Sequence, residues 1–231
     1  HDQRSYKRSG CNELPMPNKV AVNGPIAMKT CLQARYPEEA LVEVEALRYL
    51  YLSEAKIEIC AGRVFEHGPE KRILQVLVLG DYLPSNMQRQ MNLLVQAMPL
   101  LPMAVNITVK PHPDFLVHPD EYPSLNMTVT MESIGKLLAE CDVAYSSNAT
   151  SAAVDAYCVG VPIISLLDPM TLNLSPLRDC TGTLFASTPK ELATALLFAA
   201  SAPRLPSSQQ EFFTIDPQLP RWRKLLLESI V

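Results

Sequence analysis

From Ile73 onward, short apolar runs alternate with stretches of helical period, and this alternation constrains the fold more than any other feature. The runs are Ile73–Leu79, Ile107–Val109, Met127–Val129, Val143–Tyr145, Pro162–Leu167 and Thr183–Ala186. Between them the sequence predicts helices over Met87–Met98, Ser133–Ala139 and Ala149–Cys158, with another from Thr188 to Ala200. In the first of these, Met87, Met91, Leu94, Val95 and Met98 recur on one side. Strands that alternate with helices form parallel βαβ units, joined by right-handed crossovers. The expected fold is therefore α/β, a doubly wound, Rossmann-like and mainly parallel sheet. The first run is apolar enough for a strand covered on both faces.

Punctuation residues support the same reading. Gly160 is placed to stop a helix in the left-handed conformation. Thr188-Pro189 followed by Glu191 reads as a helix start: cap, proline at the first helical position, and acid three residues after the cap. Upstream, Lys19–Val22 and Leu41–Val44 read as strands on either side of a helix from Ile26 to Arg35. Residues 1–16 read as a loop or the frayed remnant of a preceding element, and Ala46–Ala55 as a buried helix or an irregular linker. The charged stretch 62–72, with Gly62 and Gly68, is the expected domain boundary. That gives residues 1–66 as the remnant of one domain and its crossover, and 67–231 as a second domain ending in a helix over Leu219–Ile230.

Charge and composition exclude several classes. A hydrophobic fraction of 48% and a charged fraction of 19% predict a packed core rather than disorder. The net charge of -4 and the absence of a long basic run argue against a nucleic-acid surface. No apolar run approaches the roughly 18 residues of a membrane span, so at most peripheral membrane association is expected. The six cysteines show no metal-ligand spacing. Cys60, Cys141 and Cys158 lie in apolar contexts, which fits a reduced, cytoplasmic setting. No P-loop, dinucleotide fingerprint or nucleophile elbow occurs.

Two polar clusters end strands of this regular region, where open α/β sheets bind ligands. The first is Lys110-Pro111-His112-Pro113-Asp114. Two prolines fix the backbone around His112, so its imidazole is aimed. His112 would hydrogen-bond a phosphate or sugar hydroxyl and Lys110 would add charge; the alternative is a strand-end turn with an exposed histidine. The second is Ser146-Ser147-Asn148-Ala149-Thr150-Ser151, at the expected start of a helix. Hydroxyls and unpaired N–H groups there suit a phosphate, although an ordinary cap needs only one such residue. Gly80 would let a ligand or a helix approach closely, and Asp81 would face the cleft or cap the next turn. Glu45 and Arg48 read as a surface ion pair or as hinge residues near a cleft, Asp155 as facing solvent or a neighbouring loop, and His118, Asp120 and Glu121 as loop residues over the site.

These clusters, together with Gly160-Val161-Pro162-Ile163-Ile164, resemble the nucleotide-sugar-binding half of a GT-B glycosyltransferase. More narrowly, they are similar to bacterial capsule and O-antigen biosynthesis proteins that carry a Lys-Pro-His-Pro turn. Val20–Gly24 and Val42–Tyr49 resemble the last strand of the N-terminal domain and its crossover. The resemblance implies that His112 contacts the donor phosphate or a sugar carboxylate, with Lys110, Ser146, Ser147, Asn148 and Thr150 around the phosphate. It also implies that Gly80 and Asp81 line the cleft between domains. The donor would be a nucleotide-activated sugar, CMP-linked sugars among the candidates, and the acceptor a glycan or lipid-linked glycan at the inner face of the bacterial membrane. In such enzymes the general base usually comes from the N-terminal domain. The expectation is thus a donor-binding fragment, inactive without that missing domain, and the catalytic residues are left unknown.

No cofactor is implied, and the lack of an Asp-x-Asp motif predicts independence from metal. Two other readings share this sequence: a GT-B nucleotide-sugar 2-epimerase, and a non-catalytic module that binds glycan precursors.

Overall fold

The structure is a computed structural model that describes residues 17–53, 73–170, 172–201 and 212–228. It divides into two compact units, one formed by 17–53 together with 212–228 and the other by 73–201. The expected boundary at 62–72 lies outside the described residues.

In the first unit, β1 (Val20–Val22) and β2 (Leu41–Glu43) pair in parallel, Val20 opposite Leu41. The helix α1 (Pro25–Gln33) joins them, and Pro25 sits at its first position, where a missing N–H costs nothing. Gly24 precedes it at φ 156°, and a Cβ there would lie 2.2 Å from the Phe212 carbonyl oxygen. Only glycine lets the returning segment pack this closely. That segment is fixed further by Thr214 N–H to Asn23 O at 3.0 Å, by Ala46 N–H to Thr214 O at 2.8 Å, and by Phe213 stacked on Tyr49. The C-terminal helix α6 (Pro220–Glu228) starts on the Glu45 carboxylate, which accepts the N–H groups of Arg221 at 2.9 Å and Trp222 at 3.0 Å. Glu45 is 1% exposed. It is a buried helix cap, not a surface ion pair or a cleft residue. Arg48 is exposed and lies over the Tyr49 ring.

The second unit is one parallel sheet of six strands: β3 (Leu74–Leu79), β4 (Val105–Lys110), β5 (Met127–Val129), β6 (Val143–Ser146), β7 (Ile163–Leu166) and β8 (Leu184–Ala186). Their order is β5-β4-β3-β6-β7-β8, and every pairing is parallel. Numbered within the unit, this is the doubly wound order 3-2-1-4-5-6. It reverses direction between β3 and β6, which makes that gap the switch point where such sheets bind ligands. The register aligns the strand ends: Leu79 lies opposite Lys110 on one side and Ser146 on the other.

The core follows from the sequence pattern. Leu74, Val76, Leu77, Val78 and Leu79 are each at most 1% exposed, as a central strand requires. The helix α2 (Pro84–Ala97) turns Met87, Met91 and Leu94 inward, and α5 (Pro189–Ser201) adds Leu192 and Leu196 to the same cluster. Burying each of these side chains contributes about 1.5–3 kcal/mol. At the start of α5, Thr188 Oγ1 accepts the Glu191 N–H at 3.2 Å, and the Glu191 carboxylate accepts the Ser187 N–H at 2.8 Å. The helix α3 (Ile134–Glu140) precedes β6. After β6, α4 (Ala152–Cys158) ends at Gly160, with φ 77° and its N–H bonded to Tyr157 O.

Two expectations are corrected here. The helix after the serines begins at Ala152, not Ala149, so residues 147–151 form a turn before it. Helical φ/ψ at 147–150 would pull apart the side-chain contacts of that turn described below. Asp155, expected to face solvent or a neighbouring loop, does not face solvent: it is 4% exposed, because α4 is covered along Ala153–Cys158. Among the described residues, no helix is long and apolar enough to cross a membrane.

Candidate functional site

The candidate site is the carboxyl end of the sheet in the second unit, built from the turns after β3, β4 and β6. The β4 turn is pressed against the end of β3. Gly80 N–H donates to Lys110 O at 2.9 Å. A Cβ on Gly80 would lie 2.8 Å from His112 N, 2.9 Å from Pro111 Cα and 3.0 Å from Lys110 O. The close approach at Gly80, expected of a ligand or a helix, is made in the structure by the Lys-Pro-His turn.

Past that contact, the chain doubles back through a bridge between His112 and Phe115. Asp114 N–H donates to His112 Nδ1 at 3.2 Å, and the Asp114 carboxylate lies 3.6 Å from the same nitrogen. An imidazole that accepts at Nδ1 carries its proton on Nε2. His112, with a side chain 37% exposed, thus presents an N–H donor away from the turn. The Tyr82 ring stands edge-on to it, with centroids 6.3 Å apart. The Lys110 ammonium donates to Glu132 O at 2.6 Å, so one of its three protons is spent on the segment after β5. His118, Asp120 and Glu121 lie exposed on the β4–β5 connection.

The residues of the β6 turn separate into distinct roles. Ser146 is fully buried and shares a hydrogen bond with Ser165 of β7 at 3.2 Å. Its hydroxyl faces the inside of the sheet. Ser147, 2% exposed, donates to the Asp81 carboxylate and accepts the Ala149 N–H at 3.3 Å. Asn148 donates to Leu172 O at 3.2 Å, which ties the turn to the segment after β7. Thr150 is half-buried, and its hydroxyl has no hydrogen-bond partner among the described residues. Ser151 precedes α4 without capping it through its side chain.

Asp81 is 1% exposed, and both its oxygens are occupied. One accepts Leu83 N–H at 2.8 Å; the other accepts the Asn86 amide at 3.1 Å and the Ser147 hydroxyl. It caps its own turn and crosses to β6 at once. Gln90, also buried, donates its amide to Leu79 O at 3.3 Å and to Tyr145 O at 3.0 Å, bridging β3 and β6 two residues deeper. The Tyr145 hydroxyl donates back to Gln90 O, and burial pushes its pKa far above the usual phenol value. Asn86 and Gln90 carried a signal that the sequence reading passed over. They are polar residues four apart on the helix after Gly80-Asp81, and Gln90 lies on the face that buries Met87 and Met91.

Beside this site, α2 and the segment after β7 enclose a groove of about 510 Å³. Arg89 and Asp168 form an ion pair across it.

No family model matches the sequence, and no curated protein matches it. Solved structures do match the fold. The Methanocaldococcus jannaschii UDP-GlcNAc 2-epimerase, bound to UDP-GlcNAc and UDP, superposes with a TM-score of 0.59 at 12% identity, over 91% of this chain and 61% of that one. The Neisseria meningitidis UDP-GlcNAc 2-epimerase, bound to UDP-GlcNAc, gives 0.52 at 9% identity, over 92% and 60%. The glycosyltransferase of kitacinnamycin gives 0.51 at 18% identity, over 81% and 47%. The chain thus spans about half to three-fifths of the length of these proteins. At such identities the likeness establishes the fold alone: the six-stranded unit is the Rossmann-like half of a GT-B architecture.

Proposed function

We propose that the second unit binds the diphosphate or phosphodiester of a nucleotide-activated sugar, and that the protein is the donor-binding part of a metal-independent glycosyltransferase. One observation carries the reading. The His112 turn and the 147–150 turn end the two strands that flank β3. The 147–150 turn borders the switch point, the His112 turn packs on Gly80 at the end of β3, and two strand spacings put the two turns roughly 10 Å apart, within reach of one nucleoside diphosphate.

The chemistry is consistent with that ligand. In glycosyl transfer the departing nucleotide gathers negative charge. His112 Nε2–H, the remaining protons of Lys110 and the Thr150 hydroxyl are donors able to stabilise that charge from fixed positions. Asp81 and Asp168 are engaged with Ser147 and Arg89, which leaves neither free as a base; in the GT-B enzymes that the sequence resembles, the base usually comes from the N-terminal domain. The donor nucleotide, with CMP among the candidates, and a surface glycan as product rest on the Lys-Pro-His-Pro resemblance.

A second reading has its own support. Two of the structural neighbours are UDP-GlcNAc 2-epimerases, and the same seat would hold UDP-GlcNAc for epimerisation.

Thermal unfolding with CMP, UDP, GDP and CDP tests the proposal. At least one nucleotide should raise the midpoint, and His112→Ala should abolish the rise. No rise with any of the four would refute it in favour of a non-catalytic module. Conversion of UDP-GlcNAc to its 2-epimer would replace transfer by epimerisation.

A further inference from the structure

A serine hydroxyl has one proton to give. At Ser147 that proton is directed inward, onto the Asp81 carboxylate, while the oxygen accepts from Ala149 N–H. Both residues are at most 2% exposed. The carboxylate also holds Leu83 N–H and the Asn86 amide. One buried acid therefore fixes the turn after β3 and, through Ser147, the turn after β6. The two turns lie on opposite sides of the switch point.

From this geometry we infer that Asp81 and Ser147 are positioning residues. They shape the 147–150 turn for the donor phosphate without touching it, and they leave Thr150 as the contacting hydroxyl of that turn. The inference rests on the nucleotide reading above and refines it. A hydroxyl whose proton is already bound to a carboxylate cannot also donate to a phosphate. Charge-assisted bonds of this kind are among the stronger neutral-to-ionic contacts in proteins, so the inward orientation is the stable one. Thr150, by contrast, has a hydroxyl that is half-buried and uncommitted among the described residues.

The test is a double-mutant cycle read in two ways. UDP and CMP affinities are measured by calorimetry for wild type, Asp81→Ala, Asp81→Asn, Ser147→Ala, Asp81→Ala with Ser147→Ala, and Thr150→Val. Amide exchange at Leu83 and Ala149 is measured on the same proteins without ligand. Asp81→Ala and Ser147→Ala should each weaken the better nucleotide about tenfold, the scale of one lost hydrogen bond to a charged group. The double variant should be no weaker than either single one. Asp81→Asn should recover to within about threefold, because its Oδ1 can keep Leu83 N–H, its amide can donate to Ser147 Oγ, and the Asn86 amide can turn to present its oxygen instead of its NH2. Thr150→Val should cost about tenfold on its own account.

Multiplying losses in the double variant would overturn the inference, since Ser147 would then be contacting the ligand itself. Failure of Asp81→Asn to recover would overturn it as well. In the ligand-free proteins, exchange at Ala149 and Leu83 should accelerate in Asp81→Ala and return towards wild type in Asp81→Asn. Unchanged exchange would refute the tie directly. Absence of any wild-type nucleotide binding would refute the donor reading, and the exchange measurement would still decide whether Asp81 holds the turn.

Discussion

Replacing Gly80 by alanine puts a single methyl group against three backbone atoms. The nearest contacts, 2.8 Å to His112 N and 2.9 Å to Pro111 Cα, fall roughly half an ångström or more short of normal van der Waals separation for such pairs. A flexible side chain could swing away; this segment cannot, because Pro111 and Pro113 hold φ on either side of His112. Relief has to come from moving the end of β4, which stretches the 2.9 Å bond from Gly80 N–H to Lys110 O. Overpacking costs about 1–3 kcal/mol, and a weakened buried hydrogen bond adds about 0.5–1.5 kcal/mol. The lower entropy of the unfolded alanine chain returns about 0.4–1 kcal/mol. A net loss of about 2 kcal/mol follows from these terms. For a chain of this length that is a fall of roughly 4–8 °C in the unfolding midpoint. Urea and thermal unfolding of Gly80→Ala would measure it. The same displacement moves His112, so nucleotide-induced stabilisation should shrink in the variant. A Gly80→Ala protein with wild-type stability would refute the reasoning, for it would mean that the Lys-Pro-His turn yields freely and His112 is not held by it.

Other outcomes can be stated briefly. Ser146→Ala should lower stability by about 0.5–1.5 kcal/mol by stranding Ser165 but leave nucleotide affinity unchanged; a tenfold affinity loss would place Ser146 at the ligand. Glu45→Ala should cost about 1–3 kcal/mol by uncapping α6 and leaving two N–H groups without acceptors. Trp222, the one tryptophan of the chain, donates its indole N–H to the Glu45 backbone carbonyl at 2.8 Å, a bond the alanine keeps, so its emission should shift red only as far as the uncapped first turn of α6 frays. The Thr214 hydroxyl, and after the opposing effect of burial the Arg221 guanidinium, hold Glu43 below the usual carboxylate range. A lowered folded-state pKa contributes stability above the unfolded value, and that contribution is lost as pH falls through the folded one. The stability gap between wild type and Glu43→Gln should therefore be present at pH 7, about 1 kcal/mol or less for a partly exposed pair, and should close below about pH 4. A gap that widens on acidification would contradict it.

The strands and helices of the second unit were legible because period and length point the same way there. Leu74–Leu79 is too apolar and too short for anything but a central strand, and Met87, Met91 and Leu94 mark a helix face. The turns after β4 and β6 were legible as polar clusters at strand ends. What each side chain does inside them was not. Ser146 and Ser147 are adjacent and chemically identical, yet strand alternation turns one toward Ser165 and the turn delivers the other to Asp81. Such assignments depend on which strands become neighbours, and local sequence does not encode that order. Glu45 illustrates the same limit: its partners, Arg221 and Trp222, are more than 170 positions away. The late start of α4 was missed because hydroxyl-rich residues favour a cap and a turn equally.

The return of residues 212–228 to the first unit has a practical consequence for dissecting the molecule. The polypeptide leaves that unit after residue 53 and re-enters it by 212, so no single cut separates the halves. A truncation made just after α5 would delete the partners of Glu45, Thr214 among the neighbours of Glu43, and the ring stacked on Tyr49, exposing an orphaned carboxylate and an apolar scar. Clones meant to isolate the six-stranded sheet should be trimmed at both ends, and those meant to preserve the smaller body must keep the tail.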